Sequence, residues 1–224
     1  MKRLRQDGTG GAPSVGRRLA ARVARHRYDR AAPLYDLLEA PMERLRYRRW
    51  RAELWRRVGE GLILEAGAGT GRNFIFHPPG GRVMGFDLSP RMLRRAMQKK
   101  DESPAEVRLA LMDAQDLALR NHVFDVAVAT FVFCSVPDPV RGLEELRRAL
   151  APGGRLLLLE HVRSPHPTVG RLMDLMNPVM VRLTGANINR DTVGNVRRAG
   201  FEMVEVTDLG AGGIYKLIEA RVPQ

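Results

Sequence analysis

The chain is short of several things, and each shortage excludes something. It has one cysteine in 224 residues, Cys134, so no disulfide can close within it. A fold of this length can bury a sizeable core without such a staple. A reducing, cytoplasmic setting is the simplest expectation. No apolar run reaches the roughly 18–20 residues that span a bilayer, and the amino terminus lacks the apolar segment of a secretory signal. The five histidines, His26, His77, His122, His161 and His166, do not fall at ligand spacing with Cys134, so no metal is expected. There is no nucleophile elbow and no internal repeat. Acid is the scarce sign of charge, with 25 Asp and Glu against 37 Lys and Arg, a net +12. The imbalance is local. Residues 1–60 carry 16 basic and 7 acidic side chains, a net +9, and the remaining 164 carry 21 and 18, a net +3.

What is present centres on Leu62 to Asn73, Leu-Ile-Leu-Glu-Ala-Gly-Ala-Gly-Thr-Gly-Arg-Asn. It reads as a buried strand ending in a glycine turn that opens a helix. Gly67, Gly69 and Gly71 let a ligand approach the backbone closely, and free N–H groups at the helix start face it. Twenty residues on, Asp87 ends a second strand, Arg82 to Leu88, where a carboxylate can accept bonds from ribose hydroxyls. The implied ligand contains a nucleoside. A dinucleotide fingerprint needs a glycine at position 72, which is Arg72.

The pattern Glu65-x-Gly67-x-Gly69-x-Gly71 resembles the first motif of class I S-adenosylmethionine (SAM) dependent methyltransferases. The likeness runs on through Gly85-Phe86-Asp87-Leu88-Ser89, Asp113-Ala114, the strand Phe124 to Val128, and Ala151-Pro152-Gly153-Gly154-Arg155 before the strand Leu156 to Glu160. The resemblance implies an α/β, Rossmann-like, doubly wound seven-stranded sheet with its last strand antiparallel and helices on both faces. It implies SAM as cofactor and S-adenosylhomocysteine as product. The cofactor set it implies is Glu65, Gly67, Ala68, Gly69, Thr70, Gly71, Asn73, Asp87, Leu88, Met92, Asp113, Ala114, Thr130 and Phe131.

In chain order, residues 1–14 are polar, glycine-rich and basic, and a disordered tail is expected. Residues 15–60 are expected to form basic helices capping the active site. In the first, from Val15, Leu19, Val23 and His26 share a face amid arginines, as on a helix lying on an anionic surface or simply packed on the domain. Tyr28-Asp29-Arg30-Ala31-Ala32-Pro33-Leu34-Tyr35-Asp36 resembles the entry segment of quinone and phospholipid head-group methyltransferases, which implies Tyr28 and Tyr35 over the transferred methyl or the acceptor. A second basic helix is expected over Met42 to Val58, with Trp50 and Trp55 either at a membrane interface or packed with arginine stems. Residues 61–224 form the SAM-binding domain. Within it, Ser89 caps a helix from Pro90 to Lys100 and Val107 to Met112 is the third strand. An insertion, 163–187, with Leu172, Met173, Leu175, Met176, Val179 and Met180, reads either as a helical flap that shapes itself around an apolar ligand or as a simple cover of the core. A helix from Asp191 to Ala199 and strands Phe201 to Leu209 and Tyr215 to Val222 close the chain.

Methyl transfer from a sulfonium needs alignment, exclusion of water and, for some acceptors, a base. His161 follows the fifth strand and is the candidate base or acceptor contact, with a structural role as the alternative. The stretch Thr130 to Asp138 is expected along the acceptor. It lacks the Asn/Asp-Pro-Pro-aromatic motif of base-amine methyltransferases, which argues against nucleic acid as acceptor. Cys134-Ser135-Val136-Pro137-Asp138-Pro139 and Gly213 to Glu219 resemble bacterial phosphatidylethanolamine N-methyltransferases and their quinone-ring and alkyl-thiol relatives. The expectation is a peripheral membrane enzyme methylating a lipid amine, with a quinone or other small hydrophobic acceptor second, and a non-catalytic SAM-binding protein third. The basic amino-terminal segment is its expected contact with an anionic membrane.

Overall fold

Short apolar runs with both faces covered build the sheet, as a parallel sheet requires. The computed structural model describes residues 15–224, without the side chains of Val15, Arg17, Arg18 and Ala211. The tail expected over residues 1–14 lies outside the described residues. The strands are β1 Leu62–Ala66, β2 Arg82–Asp87, β3 Glu106–Leu111, β4 Phe124–Thr130, β5 Leu150–His161, β6 Glu202–Asp208 and β7 Tyr215–Arg221. They lie in the order β3-β2-β1-β4-β5-β7-β6, all parallel except β7, which runs antiparallel to both neighbours. The order reverses between β1 and β4, so a crevice opens at their carboxyl ends.

Alternation along the central strands divides the core. Leu64, Ala127, Ala129, Leu156 and Leu158 join Leu143, Leu146 and Val196 on one face. Ile63, Val126, Val128, Leu157 and Leu159 join Leu54, Trp55 and Phe74 on the other. The helices are α1 Val15–Ala31, α2 Tyr35–Met42, α3 Arg48–Arg56, α4 Pro90–Gln98, α5 Pro139–Ala149, α6 Pro167–Thr184 and α7 Thr192–Arg198.

Four expectations change. The glycine turn opens no α-helix. It passes into a single 3-10 turn, Phe74–Phe76, because Pro78 holds His77 in extended backbone at ψ 145°. α3 packs Leu54, Trp55 and Val58 in the same cluster as Ile63 and Phe74, so part of the amino-terminal segment is core rather than cap. The helix expected from Met42 begins earlier, as α2, and passes through a π-helical turn, Glu43–Tyr47, into α3. Pro41 inside α2 has no N–H to donate, and the wider turn accommodates the break. The Ala151 to Gly154 turn is a bulge within β5, where the pairing with β4 jumps from Phe124–Leu150 to Val126–Arg155.

Candidate active site

The crevice holds a cavity. Of the residues expected there, Tyr28, Tyr35, Gly67, Gly69, Asp87, Leu88, Met92, Asp113, Ala114, Thr130 and Phe131 line it. Ala24, Phe86 and Met112 also line it, although none of the three was expected among the cofactor contacts. Gly67 has φ +66°, and a Cβ there would meet Val132 Cγ2 at 2.4 Å. A Cβ on Gly69, at φ +55°, would meet only the Gly67 carbonyl oxygen, at 3.8 Å, so the glycine leaves a cradle that a side chain would fill. Its N–H donates to Asp87 Oδ2 at 2.9 Å, and the Ser89 N–H donates to Oδ1 at 2.8 Å. Burial pushes the Asp87 carboxyl up to about 6, against the pull of the Ser89 and Gly69 N–H groups. Asp113 accepts from the Gln115 backbone and side-chain N–H groups at 2.9 and 3.0 Å. Gln115 Oε1 in turn takes the Asp138 N–H, so the base of the cavity is tied to the loop after β4.

Glu65, Ala68, Thr70, Gly71 and Asn73 lie outside that lining. They hold the floor. Glu65 is fully buried, accepting from Asn73 Nδ2 at 2.7 Å and facing His77 Nε2 at 3.1 Å. Arg51, from α3, donates to Asn73 Oδ1 at 2.8 Å and Thr130 Oγ1 at 2.7 Å, and its other edge reaches Glu43 at 3.2 Å. One buried cation thus joins the π turn, the glycine loop and the end of β4.

The two aspartates of the Tyr-Asp segments latch the amino-terminal helices to this floor. Asp29 accepts from Ser89 Oγ at 2.6 Å, and Ser89 Oγ caps α4 through the Met92 N–H. Asp36 takes Thr70 Oγ1 at 2.6 Å, Arg72 Nε at 3.0 Å and Lys99 Nζ at 2.8 Å. Burial alone would raise the Asp36 pKa. The bonds from Lys99 and Thr70, with the charges of Lys99 and Arg72, outweigh it and hold the group at about 2.

Tyr28, Tyr35 and Phe131 also line a second, larger cleft between the amino-terminal helices and α6. His161 lines this cleft and not the cofactor cavity. Its Nδ1 is buried without a hydrogen-bond partner, and its ring meets Tyr215 edge-on at 5.1 Å. Burial pushes the imidazole pKa down, so the ring is neutral at pH 7. Glu39 lines the same cleft, and its Oε2 is buried with no partner. Burial raises the Glu39 pKa against the nearby Tyr35, Arg51 and Arg72. Burial likewise raises the phenols of Tyr28, Tyr35 and Tyr47 and the Cys134 thiol, so all four stay protonated near neutrality. Tyr47 bonds hydroxyl to hydroxyl with Tyr215 at 3.1 Å. Asn187, after α6, gives both its backbone and side-chain N–H to the Cys134 carbonyl and closes the far wall. Glu39, Tyr47, Arg51 and Asn187 carried no motif, and Tyr215 stood in the closing segment Gly213 to Glu219 without being singled out for the site. Trp55 packs on His77 and Trp50 on Tyr215, so both tryptophans serve packing.

A methyltransferase domain model matches residues 64–158. A ubiquinone/menaquinone biosynthesis C-methyltransferase of Syntrophotalea carbinolica is 38% identical over 216 residues, covering 85% of this chain and 90% of that protein. The chain belongs to the class I SAM-dependent methyltransferases. SAM is the cofactor this membership implies, and the glycine cradle and Asp87 are chemically suited to it. The rat thiol S-methyltransferase TMT1B is 32% identical, and the match covers 66% of this chain and 62% of that protein. A phosphatidylethanolamine N-methyltransferase of Cereibacter sphaeroides is 29% identical over 70% of this chain and 78% of its own length. The chain therefore spans less than two thirds of the TMT1B relative. No group of three or more His, Cys, Asp or Glu among the described residues has the arrangement of a metal site.

Proposed function

We propose that this protein transfers the methyl group of SAM to an amine on a membrane lipid. SAM supplies the methyl on a sulfonium that departs as a neutral thioether. The glycine loop and Asp87 would hold its amino-acid and ribose ends and Asp113 and Ala114 its base, and Tyr28, Tyr35 and Phe131 line both cavities. The observation that carries the acceptor is Glu39. A buried carboxylate oxygen without a partner, beside Tyr28, Tyr35 and Tyr47, suits an ammonium, which brings charge, donors and attraction to aromatic faces. An ammonium must lose a proton before its lone pair can attack the methyl carbon. The Glu39 carboxylate, made more basic by burial, is placed to take that proton, and the neutral imidazole of His161 is a second acceptor in the cleft.

A second reading is methylation of a quinol ring. The support is the quinone C-methyltransferase relative, matched over nine tenths of its length. In that case Glu39 takes a phenolic proton rather than an ammonium proton.

The test is label transfer from methyl-labelled SAM into a crude lipid extract, beside tubes of tRNA and DNA. Label in phospholipid head groups, lost in Glu39→Gln, is the expected outcome. Label confined to neutral lipid replaces the amine with the quinol, and label only in nucleic acid overturns both.

A further inference from the structure

Two helices turn apolar faces to solvent. On α6, Val169, Leu172, Leu175, Met176, Val179 and Leu183 are between 41% and 77% exposed, and their spacing puts all six on one stripe. The opposite side of the helix buries Gly170 and Met173. Leading into and along α2, Leu34, Leu37 and Leu38 form a second stripe, continued within the π turn by Leu45, all between 57% and 75% exposed. Leu38 and Leu183 line the same cleft, the acceptor cleft, so the two ridges stand on either side of its mouth. Surface hydrophobics scattered singly need no explanation. Two ordered stripes around one opening do.

Charge selects what covers them. Arg27, Arg30 and Arg182 line the cleft with the ridges, and Glu39 is the one acidic residue in that lining, its free oxygen turned inward. The nearest exposed acid on α6, Asp174, is held by Arg163 at 2.8 Å. A second copy seated on this face about a twofold axis would bring the same arginines against each other. No helix among the described residues is long and apolar enough to cross a membrane. Apolar stripes flanked by arginine are instead the pattern of helices that lie in the interface of an anionic bilayer.

We propose that the α2 and α6 ridges seat in the head-group region of an anionic bilayer, with the acceptor cleft opening into it. This deepens the reading of a membrane-borne acceptor and rests on it. It also moves the docking surface from the basic amino-terminal helix alone to a pair of ridges that straddle the active site.

The test is flotation of the full chain with phosphatidylcholine vesicles and with vesicles containing phosphatidylglycerol. Binding to the anionic vesicles, weakened by salt, is expected. Leu172→Ser/Leu175→Ser/Val179→Ser and Leu37→Ser/Leu45→Ser, all at exposed positions outside the cleft lining, should each lower the partition by about tenfold or more. SAM affinity by calorimetry and the thermal melt should be unchanged, which separates lost docking from lost folding. Wild-type protein that ignores anionic vesicles overturns the proposal, as do ridge variants that bind like wild type. So does a solution dimer that the α6 variant converts to monomer. Methylation of a detergent-dispersed acceptor is read separately. Docking without head-group methylation would overturn the amine reading and leave the ridges standing.

Discussion

The ring of Phe131 lies 4.5 Å from that of Tyr47, centroid to centroid, and joins the end of the sheet to the π turn of the amino-terminal helices. Phe131 holds this place with a left-handed backbone, φ 58°. Such a conformation costs a bulky residue about 1–3 kcal/mol and persists only where neighbours over-determine it. Here the Phe131 N–H is bonded to the Leu159 carbonyl at 2.8 Å, and the next two N–H groups both donate to Glu160 Oε1, at 2.9 and 3.0 Å. The ring therefore stands between the two cavities by force of the loop beneath it.

Removing the ring should cost stability in an unusual order. Phe131→Ala should destabilise by about 1–3 kcal/mol, less than for a fully buried phenylalanine, since Phe131 is only half-buried. Phe131→Gly should be the milder change, because glycine accepts positive φ. Denaturant midpoints of the two variants compare them directly. A glycine variant weaker than the alanine variant would mean that the backbone is not strained.

Asp87 should govern cofactor affinity and its pH dependence. Asp87→Ala should weaken SAM binding by about 1.5–3 kcal/mol, the range for losing bonds to a charged group. With its pKa raised to about 6, wild-type affinity should climb as pH rises through 6 and the carboxylate ionises. The alanine variant should lack that climb. Calorimetric titrations at pH 5, 6 and 7.5 read both effects.

Glu160 sets a second pH dependence, on stability. It is fully buried, and burial pushes its pKa from the ordinary 4.5 to about 7, against the pull of the loop N–H groups. The folded chain holds this proton more tightly than the unfolded chain does. The stability it contributes is therefore complete below about 4.5 and is lost as pH rises through 7. Glu160→Gln keeps an oxygen for the Val132 and Phe133 N–H groups and removes the titration. Unfolding curves of the two proteins should diverge over that window, with wild type losing stability relative to the variant. Parallel curves from pH 4.5 to 8 would show that the carboxyl is already ionised when folded.

His161 faces the acceptor cleft alone, so His161→Ala should lower turnover more than SAM affinity. A His161→Gln variant that recovers the affinity and melt of wild type, but not its turnover, would place the imidazole in acceptor handling. Equal losses in turnover and SAM affinity would make it structural.

The parts of the site legible in the sequence are those whose chemistry is local. Gly67, Gly69 and Gly71 all take positive φ, a property that can be expected from glycines in a strand-end turn. Asp87 ends its strand, and Ser89 caps α4 through the Met92 N–H, because capping is a matter of three or four neighbouring residues. The seven-stranded doubly wound sheet was expected from the resemblance of the motifs to the methyltransferases, and the short apolar runs fit its parallel core. Glu65 and Asn73 stand in the same motif as the glycines, yet they brace the floor. A motif marks a neighbourhood and does not say which side of the backbone a side chain takes.

Tertiary structure alone decided the acceptor side. Tyr47 and Tyr215 are 168 residues apart and share a hydrogen bond, and Arg51 reaches Thr130 across 79 residues. No periodicity encodes such pairs, because they exist only once the sheet order and the π turn have brought their elements together. The apolar stripe of α6 was visible as a stripe, but spacing is symmetric about the helix axis and cannot say whether a face meets core or solvent. The sequence by itself determined the short buried strands, the glycine turn and the acid at the end of β2, because each follows from backbone conformation and burial within a few residues, while the wound order of the sheet came with the family resemblance. Packing of distant elements determined that Glu39 Oε2 is left without a partner in a cleft lined by Tyr28, Tyr35 and Tyr47, and that Leu38 of α2 and Leu183 of α6 line the same cleft.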